Sequence, residues 1–304
     1  MAVPMQSAAF KSIVEPILNH VYDGIMDQRK DEYLQIFEVI KGTERMYHEV
    51  PVLAGFGLAP EIPDGKPVTY QQSGTLFIKR FVYKVYGTAF ALTKVLVQDG
   101  DHIKIGSIFA KQGAQAMIET KETNAANIIN RAYNAAYPGG DNVSLGNAAH
   151  PIVGGVFSNI LPTPAALSQT SLEQLLTQVT KAVDNNGKKI RLEKKKLVVS
   201  AENEYQAEVI TKSVLRSGVA NNDINPIKSK GLLAGGVALM TRMTSATQWG
   251  VVTNAQEGLE YVWRQKEEKR MEGDFETNSM RYAFDERYDF GWVNPRAFYS
   301  TPGL

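Results

Sequence analysis

Cysteine is absent from this chain, which removes disulfides, thiolate nucleophiles and cysteine-ligated metals together and suits a reducing compartment. Histidine is scarce. His20, His48, His102 and His150 lie far apart, no two at metal-ligating spacing, so no metal site is expected. The amino-terminal residues lack the basic and long apolar regions of a secretory signal. The longest apolar stretch, residues 232–240, is far short of a membrane span, and a soluble chain is expected. Excess charge is missing too: 33 basic residues face 32 acidic ones, for a net charge of +1. A protein that grips nucleic acid chiefly through phosphates carries a strong basic surplus, so that class is disfavoured.

Catalytic signatures are equally sparse. There is no G-x-S-x-G elbow, no Walker loop and no dinucleotide fingerprint. Gly154-Gly155 and Gly235-Gly236 lack the framing of a phosphate cradle and read as turns or bulges. His150, before Pro151, reads as a turn histidine bonded to backbone more readily than as a general base. Asp285 and Glu286 are adjacent, which on a strand sends them to opposite faces. Glu267 and Glu268 sit in an alternating-charge run that reads as solvated surface. Residues 188–196 are basic but interrupted by Glu193 and carry no aromatic, so a solvated ridge or subunit contact is favoured over nucleic acid there. The expectation is no catalytic residue, no cofactor site and no metal site, and a protein that is not an enzyme.

What is present is an ordinary globular composition, 43% apolar and 21% charged over 304 residues, enough for a sizeable core. Residues 9–26 carry Ile13, Ile17, Val21 and Ile25 at every fourth position, predicting an amphipathic helix bent or broken at Pro16. Asp31 caps a second predicted helix reaching Ile40. Both read as an arm that packs on something else. Residues 47–86 turn extended. Their middle is rich in breakers, with Pro63-Asp64-Gly65-Lys66 suited to a tight turn, and residues 76–86 are rich in strand formers. Two arms of about 15–20 residues would reach roughly 50–65 Å, and a ribbon that long needs a core or a neighbouring molecule.

Residues 101–136 predict one helix on the order of 50 Å long, with Ile105, Ile108, Phe109, Ala116 and Met117 as one stripe, weakened at Gly106 and Gly113 and stopped by Pro138-Gly139-Gly140-Asp141. Ser168 or Thr170 caps a helix to about Val183, followed by a turn at Asn185-Asn186-Gly187. A strand at Leu197-Val198-Val199 leads to a helix over 202–216 with Tyr205, Val209 and Leu215 as its apolar side. Strands are predicted at 231–243, 249–252, 259–263, 275–282 and 284–293. Both element types without regular βαβ alternation indicate an α+β fold.

The order of these parts resembles a known family. Glu32-Tyr33-Leu34-Gln35-Ile36-Phe37 in the arm, Gly55-Phe56-Gly57 entering the loop and Tyr86-Gly87-Thr88-Ala89-Phe90-Ala91-Leu92-Thr93 before the long helix begin the likeness. His150-Pro151, Gly154-Gly155, Asn159, Leu167-Ser168, Leu197-Val198-Val199, Asn222-Asp223-Ile224-Asn225 and Thr247-Gln248-Trp249 continue it. Asp274-Phe275-Glu276-Thr277, Glu286-Arg287-Tyr288 and Asn294-Pro295-Arg296 close it. Over nearly its whole length the chain is similar to tailed-phage major capsid proteins of the Hong Kong 97 fold, particularly Mu-like major head subunits.

The resemblance implies an N-terminal arm (1–46), an extended E-loop hairpin (47–86), a P-domain with a long spine helix (87–144), an A-domain (145–258) and closing P-domain strands (259–304). It implies a virion capsid, assembled in the host bacterial cytoplasm from homo-hexamers and homo-pentamers into an icosahedral shell around double-stranded DNA. Its partners would be further copies of itself, a portal protein, scaffold or decoration proteins, and packaged DNA by weak non-specific contact. Since the arm begins almost at Met1, a separate scaffold, none, or a processed start is expected. Some relatives weld subunits through a Lys–Asn isopeptide bond. Lys66, Asn278 and the acid Asp285 form the imaginable set here, but odd spacing puts Asn278 and Asp285 on opposite strand faces, so no weld is expected. The alternatives are an encapsulin-like cargo compartment of the same fold and, further off, a soluble enzyme.

Overall fold

The computed structural model describes residues 7–93, 95–96, 99–216, 223–274 and 279–304. Helix α1 (Ser7–Gln28) runs through Pro16 without ending. Its buried row is Val14, Leu18, Tyr22 and Met26, one position along from the predicted stripe, and Ile13 faces solvent. Both rows recur every fourth residue. The second holds the aromatic that packs best, since the Tyr22 ring lies 4.8 Å from that of Phe284.

The second predicted arm helix does not form. Residues 33–35 make one 3-10 turn, and β1 (Glu38–Lys41) pairs in parallel with β10 (Leu259–Asp274). The β-branched pair Val39-Ile40 suits a strand, and the Glu122 carboxylate takes the free backbone N–H groups of Glu32 and Tyr33.

The extended region divides at Tyr83. Strands β2 (Tyr47–Leu53) and β3 (Thr75–Val82) form an antiparallel hairpin. The chain then turns into β4 (Lys84–Thr93), which pairs with β11 (Ser279–Trp292) in a different sheet. The hairpin therefore ends at Val82, not Tyr86, because the buried Tyr83 marks the break and its hydroxyl accepts from the Thr43 N–H at 2.9 Å. Each arm is also shorter than expected, about 25 Å of strand, and residues 54–74 carry the predicted turn at 64–65 but no strand.

One sheet has the order β1-β10-β11-β4, and α1 packs beside it together with α2 (His102–Asn130). Helix α2 stops well before Pro138, in successive turns through Arg131, Ala132 and Asn134. Its buried row is small: Gly106, Ala110, Ala114 and Ala125, with Met117 and Ile129, while Ile108 and Phe109 look outward. The reason is close approach. A Cβ added at Gly113 would run into the Phe284 ring. Strands β10 and β11 absorb three predicted segments, so the charge cluster at 264–270 lies within β10. Residues 275–278, with Asn278 among them, and Asn222 lie outside the described residues.

The second sheet has the order β12 (Phe298–Thr301), β9 (Trp249–Thr253), β7 (Lys194–Val199), β8 (Val237–Leu239). The final strand thus joins this sheet, not the closing strands of the first. Helix α3 (Gln169–Thr180) starts on a Ser168–Ser171 capping box and buries Leu172, Leu175, Leu176 and Val179, as its spacing predicts. Helix α4 (Glu204–Lys212) departs from expectation. Ala207 and Ile210 face the core, whereas Tyr205, Val209 and Leu215 face solvent. The strand predicted over 231–243 shrinks to β8 because Gly231 and Gly236 take positive φ and turn the chain. Val198, Ala238, Val252 and Phe298, on the sheet's other side, join a core with Ile129, Tyr261, Phe290 and Trp292. One apolar interior therefore connects the two sheets.

Candidate functional site

The residues that could carry chemistry are occupied structurally. His150 stands in β5 (His150–Ile152), not in a turn. Its Nδ1 lies 2.6 Å from Asp141 Oδ2, its Nε2 is 3.2 Å from both Leu145 O and Asn159 Oδ1, and Phe157 and Trp292 enclose the ring. Sealed in this way, it cannot meet a solute. Asn159 Nδ2 donates to the carbonyls of Leu145, Pro295 and Phe298, knitting three segments together. Among the described residues no cluster of His, Asp and Glu could hold a metal ion. Among the described residues no helix is long and apolar enough to cross a membrane.

Asp285 and Glu286 do face opposite ways. Arg270 Nη2 lies 2.8 Å from Asp285 on the more open side, and Lys121 Nζ sits 2.6 Å from Glu286 within the core. Lys66 stands exposed in the loop tip, away from any ion pair among the described residues. Glu268 is bonded by Gln265 on the surface of β10.

Two ionic features escaped sequence reasoning. The first is the Lys121–Glu286 pair, whose side chains are 5% and 3% exposed. Its signal was visible in principle, since Lys121 continues the buried row of Ala114 and Met117 at helical spacing. The second ties three regions together. Glu122 accepts the Glu32 N–H at 2.7 Å and the Tyr33 N–H at 3.2 Å, Glu32 accepts from Thr241 N and Arg242 Nη1, both at 2.9 Å, and Arg242 also grips Glu119. Burial pushes Glu122 up to about 7, with the backbone donors of the arm opposing the shift. No local pattern marks this tie, because its members are up to 210 residues apart.

Glu260 is buried on β10, and burial first, then Glu257 and Glu38, push its carboxyl up to about 7. Its Oε2 is buried without a hydrogen-bond partner. A carboxyl whose folded value lies above its unfolded one binds its proton more tightly when folded. Its cost is absent below the unfolded value and grows as pH rises through the folded one. Glu260→Gln should therefore raise stability by on the order of 1–2 kcal/mol at about pH 8 and by little at about pH 4. Urea midpoints at the two pH values check this, and an equal gain at both would refute it.

The remaining candidates are surfaces. Residues 54–74 project with Phe56, Leu58, Ile62, Val68 and Tyr70 exposed, Leu58 by 80% and Tyr70 by 95%. Among the described residues the loop is pinned near its base, where Asn185 Nδ2 donates to Leu53 O at 2.9 Å and Lys188 Nζ to Phe56 O at 2.5 Å. Higher up, Gln71 Nε2 bridges to Leu58 O at 3.0 Å. Such an exposed apolar projection is the kind of surface that proteins use for contact with other molecules. Beside its base runs the basic segment 188–196, whose Lys189, Arg191 and Lys195 point outward. The outer face of α4 is a third surface, with Tyr205 and Val209 in the open.

A family model described as phage capsid protein matches residues 81–301. No curated protein matches the chain. Among solved structures, the fold is similar to the capsid of cyanophage P-SCSP1u at a TM-score of 0.56 and 11% identity, covering 88% of this chain and 86% of that one. It is similar to the capsid of a native GTA particle at a TM-score of 0.55 and 14% identity, covering 90% of each. It is also similar to the virus-like particle from Pyrococcus furiosus at a TM-score of 0.51 and 11% identity, covering 94% and 98%. At these identities the structural likenesses establish the fold, and the family rests on the matching model. The Mu-like kinship read from the motifs is narrower than these matches.

Proposed function

The chain belongs to the phage capsid protein family, and from that premise we propose that it is the repeating subunit of an icosahedral head enclosing double-stranded DNA. The observation that carries the reading is the projecting loop at 54–74, which exposes five large apolar side chains and, among the described residues, is fastened to its own chain near the base. An isolated protein gains nothing from that surface. A shell subunit covers it with a neighbour.

In this reading the hairpin from Tyr47 to Val82 is the E-loop, lying on the next subunit. The sheet of β1, β10, β11 and β4 with α2 is the P-domain, and the sheet of β7, β8, β9 and β12 with α3 and α4 is the core of the A-domain. Copies meet head to tail, so each contact joins two different faces, and rings of six and five close the shell. Strand pairing and burial hold the loop without a covalent weld. No catalytic step is required of any residue. A portal, scaffold or decoration proteins and the packaged DNA are the further partners, and assembly takes place in the host cytoplasm.

A cargo compartment of the same fold is the weaker reading, because the matching family is one of phage capsids. Electron microscopy and light scattering of the purified chain under assembly conditions test the proposal. Particles of hundreds of subunits that give a clean monomer band on denaturing electrophoresis are expected. A stable monomer or dimer sinks the shell reading, a ladder of bands revives the weld, and bound peptide cargo in place of DNA favours the compartment.

A further inference from the structure

Two oppositely charged ends occupy the second sheet's half of the molecule, and each carries outward-facing side chains that the fold of that half does not engage. At one end, residues 188–196 hold six basic residues and one acid. Lys189, Arg191 and Lys195 face outward there and have no ion-pair partner among the described residues. Like charges crowd the spot, since Arg191 and Lys230 both bear on Lys194, whose amine donates to Thr180 Oγ1 at 2.8 Å.

The other end lies beyond the six residues of β7, roughly 20 Å of strand. There Glu202 and Glu204 rim an exposed apolar row on α4, Tyr205 at 81% and Val209 at 50%. The row is an i, i+4 pair on one helix face. Ala207 and Ile210 already supply the face that α4 turns to the core. Glu208 is engaged by Lys212 at 2.5 Å and takes no further part.

We propose that these ends are the two halves of one contact between neighbouring copies of this chain: Tyr205 and Val209, rimmed by Glu202 and Glu204, seat against Lys189, Arg191 and Lys195 of the next copy. The inference rests on the shell reading and names the surfaces that close its rings. A ring of identical subunits needs two different, complementary faces on every copy. Opposite signs at separated ends provide them and fix the register. A self-paired contact would set acid against acid. Nucleic acid is the competing occupant of the basic end. That segment has no aromatic on which bases could stack and an exposed Glu193 in its middle, and nucleic acid leaves the acidic, apolar end without a partner.

An exchange of charges in the full chain tests the contact. Glu202→Lys with Glu204→Lys should cut particle yield by about tenfold or more, and so should Lys189→Glu with Arg191→Glu and Lys195→Glu. Both sets combined in one chain should restore particles, because the exchange retains complementarity. Tyr205→Asp, at a position outside the core, should block assembly alone while leaving the circular dichroism spectrum intact. Wild-type yield from either charge set overturns the proposal, as does failure of the combined chain to recover while Tyr205→Asp assembles normally. Normal particles from the basic-end set that fail to retain DNA transfer that end to nucleic acid and also overturn it. A wild-type chain that forms no particles fails the shell reading instead.

Discussion

Deletion of residues 59–66 should leave the subunit folded and abolish particles. The deleted stretch contains no strand, and its one backbone hydrogen bond, from Lys66 N to Pro63 O at 3.1 Å, is internal to it. Below it the two limbs of the loop are already held together, because Gln71 Nε2 reaches Leu58 O at 3.0 Å and Gly55 N reaches Ser73 Oγ at 2.9 Å. The cut ends therefore rejoin across a short gap. Loop shortening of this size changes closure entropy by well under ~1 kcal/mol. The β2–β3 register, from Tyr47 opposite Val82 to Leu53 opposite Thr75, lies wholly outside the deletion. What goes is the outermost part of the projection, including the exposed Ile62. Circular dichroism melts within a few degrees of wild type, together with a monomeric sedimentation profile, are expected. Intact particles from the deleted chain would refute the loop's part in assembly, whereas a collapsed melt would show that the loop belongs to the subunit's own core.

The architecture was legible wherever local rules act alone. The Ser168 cap, the turn at Gly187, the long helix and the breaker-rich loop all follow from residue type and spacing. Which helix face turns inward was not legible at several positions. On α4 the large residues Tyr205 and Val209 suggested the core side, yet Ala207 and Ile210 occupy it. On α2, Ile108 and Phe109 are outside while Ala110, Gly113 and Ala114 let the helix approach α1 and Phe284. The periodicity rule assumes that large apolar residues seek the molecule's own interior. A subunit that presents apolar surface to neighbours breaks that assumption on the faces that meet them. The arm failed for a different reason: Val39 and Ile40 find the edge of β10, more than two hundred residues away, and tertiary pairing overrides a short helical pattern. The loop and the basic segment were readable as surfaces because composition alone marks them. Of the Lys121–Glu286 pair only the lysine's place in the buried row was readable, because its acid comes from a distant strand.

That pair carries the largest single-residue effect expected. Lys121→Met should cost about 3–5 kcal/mol, since it removes one partner and leaves the other charge in the core. Glu286 has little to fall back on: its side chain is 3% exposed and its Oε1 is already without a hydrogen-bond partner. Lys121 also lies over the rings of Tyr288 and Tyr261 at 5.6 and 5.9 Å, contacts that methionine replaces only in part. The sign of the pH dependence follows from the glutamate. Burial raises its proton affinity above the ordinary value of 4.5 even with Lys121 opposing, and removing Lys121 raises it further. The carboxyl then binds a proton more tightly folded than unfolded, so the variant's stability falls as pH rises through the folded value. The deficit should be full at about pH 8 and shrink towards about pH 4, where the acid is neutral in both states. Lys121→Met combined with Glu286→Leu should recover most of the loss, because a packed apolar pair needs no buried charge. Urea midpoints in the background lacking residues 59–66 keep assembly from masking the comparison. A deficit flat across pH, or a double variant no better than the single one, would show that Lys121 acts through its packing and not through its charge.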